Sequence, residues 1–305
     1  MKKIGANNNQ LGFVGVGAMG SRIVRRLLTN GYKVAVYDAT STKAEALVAD
    51  GATVSDSLAA LASKSNVILS CLTDDAAVQR VYLAPDGIIA HAAPDTVVVE
   101  MSTIRPRTSR EVAREGADRG IRVLDVAISG STPAMEEGAV TLLGGGAAEV
   151  FAAVEPIFKA IAKQYFLLGP SGSGTSAKLV VNTLLGVGMQ AIAEACALGE
   201  KEGLDRDQLL TFLAKTAVVA PAHVGKLPRA ISNDYSPQFP LRLMNKDLGL
   251  ILETASSLNL VLPATEAAFH VNSEAYAFGP DQDFSIVIRQ MESRAQKNAK
   301  EEVAH

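Results

Sequence analysis

Cysteine and surplus charge are both scarce in this sequence. Its 305 residues include only Cys71 and Cys196, too few for a disulfide framework or a CxxC metal site, which favours a reducing compartment such as the cytoplasm. The net charge of −3 provides no broad basic surface for nucleic acid or an anionic membrane. A disordered chain is also excluded, because 48% of the residues are hydrophobic. Any anion that the protein binds must therefore be held by a local group of donors.

Targeting and membrane segments are not evident either. The stretch MKKIGANNNQ at the start lacks the apolar core of a signal peptide, so we expect no secretion. The most membrane-like segment, residues 179–199, is interrupted by Asn182, Gln190 and Glu194, which predicts a buried helix and not a membrane span. We therefore expect a soluble, cytoplasmic protein.

Short apolar runs alternate with amphipathic helical segments in the first half of the chain. Most of these runs are continuous Val, Ile and Leu, as expected for strands that are covered on both faces of a parallel sheet. The predicted strands are residues 11–16, 33–37, 67–72, 96–101, 122–128, 140–143 and 165–168. Predicted helices over residues 21–30 and 107–119 end at Gly31 and Gly120, in the C-cap position. This order predicts an α/β fold with a doubly wound parallel sheet.

The pattern changes to purely helical periodicity after a turn-rich stretch at residues 170–174. Residues 175–202 are predicted to form one long apolar helix that ends at Gly203, followed by shorter helices separated by prolines. The sequence thus predicts two domains, residues 1–170 and residues 171–305. The second is all-helical and begins with a long interdomain helix.

A glycine-rich motif follows the first predicted strand in LGFVGVGAMGSRIVRRLL. Gly15 allows a tight turn, Gly17 lets a pyrophosphate approach the backbone, and Gly20 lets the helix pack closely on the strand. The amides and the positive dipole at the helix start, including Ala18 and Met19, would hold the anion without a basic patch. The motif therefore predicts a Rossmann domain that binds NAD or NADP.

Asp38 ends the next strand, 18 residues after Gly20, near the spacing expected for an acid that binds the ribose diol of NAD. A carboxylate accepts a hydrogen bond from the 2′-hydroxyl and repels a 2′-phosphate, which favours NAD over NADP. Alternatively, Asp38 caps the following helix, and Lys43 or a nearby hydroxyl serves NADP.

Lys178 and Asn182 lie four residues apart, on one face of the long helix, and can act on one ligand. Their neighbours are strongly apolar. A lysine in such a run either extends its amine to the surface or is desolvated, and desolvation lowers the pKa of lysine toward the range useful for proton transfer. The residues alone leave both alternatives open.

Four motifs, in order along nearly the whole chain, resemble those of the β-hydroxyacid dehydrogenases, the 3-hydroxyisobutyrate dehydrogenase family, which includes 2-hydroxy-3-oxopropionate reductases. The first is the nucleotide motif GFVGVGAMG. The second resembles the substrate-binding DAPVSGG segment, and the third matches every fixed position of the catalytic GxGxxxKxxxN. The fourth is a KDL segment. The second, third and fourth motifs are residues 125–131, Gly172 to Asn182, and Lys246-Asp247-Leu248, respectively.

The resemblance implies NAD(P)-dependent oxidation of a β-hydroxy acid, or reduction of its semialdehyde, in a cleft between a Rossmann and a helical domain. It implies that Lys178 is the general acid and base on the substrate hydroxyl and that Asn182 orients the substrate. Ser129 and the Gly130 amide would bind the substrate carboxylate. Without the resemblance, the serines of this glycine-rich segment would be interpreted as turn formers.

The resemblance also implies cofactor contacts outside the glycine motif. Leu72 and Thr73 would line the cofactor, Thr103 would contact the nicotinamide ribose, and Lys246 would lie near the nicotinamide. Alternatively, Thr103 caps a helix, and Lys246 forms an ordinary exposed pair with Asp247. Association into a homodimer or homotetramer through the helical domain is implied as well.

Two departures from the family pattern concern the substrate pocket. Ala127 replaces the usual proline, and Ser131 replaces a glycine, which adds a hydroxyl near the substrate. The apolar stretch at residues 216–221 replaces a more polar segment. We expect a modified or less polar substrate end, with hydroxyisobutyrate, glycerate, threonate and longer analogues all open.

Three alternative functions use the same features. Imine reductases share the architecture but usually carry another residue at the position of Lys178. The decarboxylating phosphogluconate enzymes share the motifs but are typically much longer. A non-catalytic redox sensor would bind the dinucleotide without turnover.

The histidines carry no sign of a metal site. They show no HxxxH or comparable spacing, and we predict no metal. His223 lies in VVAPAHVGKLP, where a substrate pocket could reach it, but we expect it on a surface loop. The histidines are His91, His223, His270 and His305.

Overall fold

Strands and helices alternate through the first half of the protein, as the apolar periodicity predicts. The computed structural model describes residues 10–302, with side chains through residue 296, so most of the stretch examined for a signal peptide lies outside the described residues. The strands are β1 (Gln10–Val14), β2 (Lys33–Tyr37), β3 (Thr53–Val54), β4 (Val67–Ser70), β5 (Val97–Glu100), β6 (Arg122–Ser129), β7 (Thr141–Gly145) and β8 (Gln164–Leu167).

Helices connect these strands and then make up the second half. Between the strands lie α1 (Ala18–Thr29), α2 (Ser41–Glu45), α3 (Leu58–Lys64), α4 (Asp75–Leu83), α5 (Ile88–His91), α6 (Pro106–Ala117), α7 (Thr132–Glu137) and α8 (Ala148–Ile161). After them come α9 (Ser173–Lys201), α10 (Arg206–Leu213), α11 (Pro221–Val224), α12 (Leu227–Ile231), α13 (Leu241–Ser257), α14 (Pro263–Glu274) and α15 (Val287–Glu302).

The sheet has the strand order β3-β2-β1-β4-β5-β6-β7-β8, which confirms the predicted doubly wound α/β fold. Strands β1 to β6 are parallel, whereas β7 pairs antiparallel with β6, and β8 is parallel to β7. The reversal follows from a short connection that holds only the six-residue α7, because parallel neighbours need a longer crossover. The strand order reverses at β1, between β2 and β4, and ligands of open α/β sheets bind at such a point.

Both faces of the sheet are buried, which explains why its strands lack alternation. Val97 and Val99 of β5 enter one hydrophobic core, together with Leu11 and Phe13 of β1. Val98, between them, enters a second core on the opposite face. Each face is therefore covered by its own helices.

The chain divides into two compact units between Lys178 and Leu179, which we call the α/β unit and the helical unit. In the described part of the helical unit no named strand occurs, and its core includes Met189, Ala193 and Cys196 of α9. Helix α9 has the length and composition of a membrane span. These core contacts identify it instead as a core helix of a soluble protein.

His223 is not on a surface loop, contrary to the expectation from sequence. Pro221 begins the short helix α11, in which the His223 side chain is only 3% exposed. Its Nε2 lies 2.9 Å from the carbonyl oxygen of Leu185. Burial lowers the pKa of His223. The ring is a packed core group, an outcome that depends on residues distant in sequence.

Candidate active site

Apart from Lys178 on α9, the predicted site residues of the α/β unit lie at or just after the carboxyl ends of five parallel strands. The loops after β1 and β2 carry the glycine motif and Asp38, and those after β4 and β5 carry Leu72, Thr73 and Thr103. The end of β6 carries Ser129. Because parallel strands end at the same edge of a sheet, the topology brings these residues, from separate parts of the chain, to one edge.

The glycine loop has the geometry that its three glycines predict. Gly15 adopts φ +88° and donates its amide to the Tyr37 carbonyl at 2.9 Å. A Cβ at Gly20 would collide with the Gly15 carbonyl, so only glycine allows α1 to approach this loop. A Cβ at Gly17 would meet nothing within 4 Å. This open space at the start of α1, where Ala18 and Met19 follow, fits a dinucleotide pyrophosphate.

Asp38 faces the glycine loop. Its Oδ2 accepts from the Val16 amide at 3.0 Å, and its Oδ1 accepts from the Thr40 amide at 2.9 Å. The cap residue of α2 is Thr40, so Asp38 does not cap that helix. Two carboxylate oxygens offer about four acceptor positions, and the remaining ones are available for a ribose diol. The residues present therefore fit a bound NAD or NADP.

The loops after β4 and β5 are hydrogen-bonded to each other. The Leu72 amide donates to Ser102 Oγ at 2.7 Å, and the Arg105 amide donates to Asp75 Oδ1 at 3.0 Å. The cap residue of α6 is Arg105, so Thr103 does not cap that helix. The segment that contains Thr103 is therefore held by hydrogen bonds at Ser102 and at Arg105.

Asp125, in β6, holds the start of the long helix α9. This buried carboxylate accepts from the Gly172 amide at 2.7 Å, from the Thr175 amide at 2.9 Å and from Thr175 Oγ1 at 3.3 Å. A carboxylate at a helix N-terminus satisfies amides that have no partner within the helix. Burial raises the pKa of Asp125, and the three hydrogen bonds oppose that rise.

The glycines of the GxGxxxK motif allow this contact. Gly172 has φ +92°, and a Cβ at Gly174 would collide with the carbonyl oxygens of Asp125 and Leu143. Close packing of α9 against β6 and β7 therefore requires glycine at position 174. Lys178 follows one turn later and is only 8% exposed. Of the two alternatives for this lysine, burial is the one observed.

Ser129, Gly130 and Ser131 close β6 and begin α7. Ser129 is half-buried and Gly130 is exposed. The Ser131 hydroxyl accepts from the Ala134 amide at 3.4 Å, so Ser131 caps α7. The additional hydroxyl of this segment therefore has a structural partner.

In the helical unit, Asn182 is held by Asp247. The Asn182 side chain is fully buried, and its Nδ2 donates to Asp247 Oδ2 at 2.6 Å. Lys246 Nζ lies 3.0 Å from Asp247 Oδ1. Asp247 is buried, so Lys246 and Asp247 are not an ordinary exposed pair. With its amide nitrogen fixed, Asn182 has an oxygen that lacks a hydrogen-bond partner in the described residues.

Asp125 and Asp247 lie inside two of the sequence motifs, but the sequence predicts no function in the site for either acid. Asp125 is separated from its amide partners by 47 and 50 residues, and Asp247 is separated from Asn182 by 65. Local sequence patterns do not predict contacts between residues so far apart. The sequence does give one indication that the two acids have a function, since both lie inside motifs that carry other functional residues.

Two family models match the chain. The NAD binding domain of 6-phosphogluconate dehydrogenase matches residues 10–169, and the NAD-binding domain of NADP-dependent 3-hydroxyisobutyrate dehydrogenase matches residues 172–291. Together they cover both units. The chain belongs to the 3-hydroxyisobutyrate dehydrogenase family. It is an NAD(P)-dependent oxidoreductase that acts on the CH–OH group of a small hydroxy acid.

Relatives in this family differ in substrate. The 2-(hydroxymethyl)glutarate dehydrogenase of Eubacterium barkeri is 33% identical, over 92% of this chain and 94% of its own length. The NAD-dependent L-serine dehydrogenase of Pseudomonas aeruginosa is 35% identical, over 91% of this chain and 96% of its own length. Both relatives are dehydrogenases, but their names give different substrates, so they do not identify the substrate of this chain.

Solved structures agree with this family. The 3-hydroxyisobutyrate dehydrogenase of Mycobacterium tuberculosis, solved with L-serine, has a TM-score of 0.85 at 28% identity and covers 93% of this chain and 99% of its own. An imine reductase from Pseudomonas sp., which covers 93% of this chain and 100% of its own, has a TM-score of 0.62 at 22% identity, a likeness of fold alone. The imine reductase alternative is thus the more distant one.

In the part of the chain that the structure describes, no group of three His, Cys, Asp or Glu side chains could hold a metal ion. The absence of a metal stays a prediction from sequence.

Proposed function

We propose that this family member interconverts a β-hydroxy acid and its semialdehyde or keto form, with Lys178 as the general acid and base. In oxidation, Lys178 Nζ accepts the proton of the substrate hydroxyl as the C–H bond breaks, and in reduction it returns that proton to the carbonyl oxygen. NAD(P), held by the glycine loop, would supply the hydride acceptor in oxidation and the hydride donor in reduction. Asn182 orients the substrate on the same face of α9.

The contact of Asp125 with the start of α9 carries this proposal. It fixes the helix turn that precedes Lys178 to the strand that ends at Ser129. A general base must be held within hydrogen-bond reach of the proton that it removes. A buried lysine on a helix anchored at both the Gly172 and Thr175 amides meets this need for a fixed position.

The carboxylate of the substrate is bound by the segment at the end of β6, with Ser129, the Gly130 amide and Ser131 as donors. Support comes from the position of this segment at the carboxyl edge of the sheet. The stretch at residues 216–221 carries apolar side chains, of which Val218 is exposed and Val219 is buried. We infer a less polar group at the far end of the substrate.

The cofactor is NAD in preference to NADP, held by residues of four loops and by one lysine of α13. The Asp38 carboxylate on the glycine loop supports this preference, because it accepts from a ribose hydroxyl and repels a 2′-phosphate. The proposed contacts are Gly15, Gly17, Ala18, Met19, Gly20, Asp38, Leu72, Thr73, Thr103 and Lys246.

The domains divide these tasks at residue 170, into an NAD(P)-binding Rossmann domain (1–170) and a helical domain (171–305) for substrate binding and oligomerisation. Exposed apolar side chains on α9 support a homodimer or homotetramer: Val180, Leu184 and Leu198 are 65%, 72% and 65% exposed. The low cysteine content supports a cytoplasmic location. Sedimentation of the wild type and of Leu184→Glu tests the oligomeric state, since a monomeric wild type would contradict the proposal.

The reaction is tested by following NADH and NADPH formation with a panel of β-hydroxy acids that includes hydroxyisobutyrate, glycerate and threonate. We expect turnover with at least one acid, faster with NAD than with NADP. A cyclic imine is tested in the same assay with NADPH. Turnover of the imine alone would assign the protein to imine reduction, and tight NADH binding without any turnover would assign it to redox sensing.

A further inference from the structure

A buried chain of hydrogen bonds joins the ends of β4 and β5 in the α/β unit. The Leu72 amide donates to Ser102 Oγ at 2.7 Å, and the Ser102 amide donates to Glu100 Oε1 at 2.8 Å. Glu100 therefore holds the Ser102 backbone amide, and the Ser102 hydroxyl holds the Leu72 amide.

Glu100 is an unusual residue for a strand end, since it is only 2% exposed. Its Oε2 has no hydrogen-bond partner in the described residues. The titratable groups that influence it are Tyr82 and Asp75 of α4 and Asp125 of β6. Burial raises the pKa of Glu100 to about 7, with smaller contributions from Asp125 and Asp75, while the bonds from Ser102 lower it. Burial of a carboxyl costs free energy unless its oxygens are hydrogen-bonded or paired.

The outer parts of the same two loops are joined independently. Asp75 accepts from the Arg105 amide at 3.0 Å, from Arg105 Nη1 at 2.9 Å and from Thr108 Oγ1 at 2.5 Å. This second link keeps the loops in place when the first is removed. The Glu100–Ser102–Leu72 chain determines only the inner part, which carries the proposed cofactor contacts Leu72, Thr73 and Thr103.

We propose that Glu100 is a positioning residue for the dinucleotide, which acts through Ser102 to fix the Leu72 amide and the two cofactor-lining loops. The inference rests on the proposed function, because it takes Leu72, Thr73 and Thr103 as cofactor contacts. Glu100 touches neither substrate nor cofactor in this scheme. Its effect is to reduce the loop freedom that binding would otherwise remove.

Ser102→Ala, Ser102→Thr and the control Ser65→Ala test the proposal. Ser65 Oγ is likewise buried and donates to the Leu61 carbonyl at 2.7 Å, but it lies just before β4, at the opposite edge of the sheet. The measurements are NADH affinity by fluorescence titration and hydrogen exchange of the Leu72 amide in the cofactor-free protein. We expect Ser102→Ala to weaken NADH binding about tenfold and to speed exchange at Leu72. Ser102→Thr restores both, and Ser65→Ala changes neither.

Glu100→Gln separates positioning from folding through the pH profile. In the wild type, NADH affinity rises between pH 6 and pH 8, because ionised Glu100 is the stronger acceptor for the Ser102 amide. In Glu100→Gln the affinity is weaker, and this rise is lost. A purely structural defect would shift the affinity without removing its pH dependence.

The outcomes distinguish this inference from the proposed function. Normal NADH binding by the wild type with unchanged affinity in Ser102→Ala would overturn the positioning role alone. Weaker binding in Ser102→Ala, in a protein that turns over no hydroxy acid, would support the positioning role and reject the proposed reaction. A wild type that binds neither NADH nor NADPH would overturn both.

Discussion

Each of the two units contains a buried lysine and a buried aspartate, and the two aspartates bind different groups. In the α/β unit, Asp125 accepts from two backbone amides at the start of the helix that carries Lys178. In the helical unit, Asp283 binds the lysine itself: both of its oxygens lie within 2.9 Å of Lys226 Nζ. Lys226 also lies over the Phe284 ring, 4.7 Å from its centroid.

The contacts of Lys226 identify it as a structural lysine, whereas Lys178 is assigned to the reaction by the proposed function. A lysine bound at two carboxylate oxygens and an aromatic face is held as a charged structural group. Asp125, by contrast, accepts from the Gly172 and Thr175 amides and from the Thr175 hydroxyl, and it positions a helix turn. We therefore expect substitution of Lys178 to reduce the reaction rate and substitution of Lys226 to reduce the free energy of unfolding.

The largest effect is expected from Lys178→Ala. Loss of a general acid and base costs about 10²- to 10⁴-fold in kcat, while NADH affinity and the unfolding midpoint stay near those of the wild type. Steady-state kinetics, NADH titration and thermal unfolding measure the three quantities. Lys64→Ala, on the exposed end of α3, is the matched control. Near-normal turnover in Lys178→Ala would remove the distinction between the two lysines.

Lys226→Met is expected to have the opposite profile. Removal of one partner leaves the Asp283 charge buried, and breaking a buried pair costs about 3–5 kcal/mol of the free energy of unfolding. Denaturant unfolding measures this loss, and kcat of the folded protein should be unchanged. The double variant Lys226→Met/Asp283→Asn should recover part of the loss, since it removes the unpaired charge. A stability equal to that of the wild type would show that the pair is not structural.

Glu100 provides a third test, because it is a buried acid of the α/β unit whose pKa is raised from 4.5 to about 7. An acid with a raised pKa in the folded state contributes stability below its unfolded pKa and loses it as pH rises through the folded value. The free energy of unfolding of the wild type, relative to Glu100→Gln, should fall between about pH 4.5 and pH 7, by about 3 kcal/mol at most. Denaturant unfolding at several pH values measures it. If the free energy of unfolding changed with pH in the same way in both proteins, Glu100 would not be the group that titrates.

Sequence patterns predict the local parts of this fold and not the distant pairs. The α1 and α6 helices end just before Gly31 and Gly120, both with positive φ, because a helix end and its glycine are neighbours in the chain. The two-residue strand β3 was missed, because two residues show no periodicity. The strands predicted at residues 122–128 and 140–143 leave a connection too short for a parallel neighbour, and β7 accordingly pairs antiparallel with β6 in the otherwise parallel part of the predicted sheet.

The site divides in the same way. The tasks of Gly15 and Gly20 follow from a motif, since each glycine answers a steric demand close by. The partners of Asp125, Asp247 and His223 come from elements far away in sequence, and the wrong expectation for His223 has this origin. Motifs therefore predict backbone-determined positions better than the side-chain pairs that support them.

The smallest expected effect concerns cofactor choice at Asp38, the carboxylate that binds the glycine loop. Asp38→Ala removes the acceptor for a ribose hydroxyl and the charge that repels a 2′-phosphate, so the ratio of kcat/KM for NADP to that for NAD should rise about tenfold, or about 1.4 kcal/mol. The control is Asp50→Ala, which removes an exposed acid that pairs with Arg25 of α1. Because Asp38 also accepts from the Val16 amide, kcat/KM for NAD itself should fall. An unchanged ratio with lower values for both cofactors would mean that Asp38, like Asp125, only holds backbone amides.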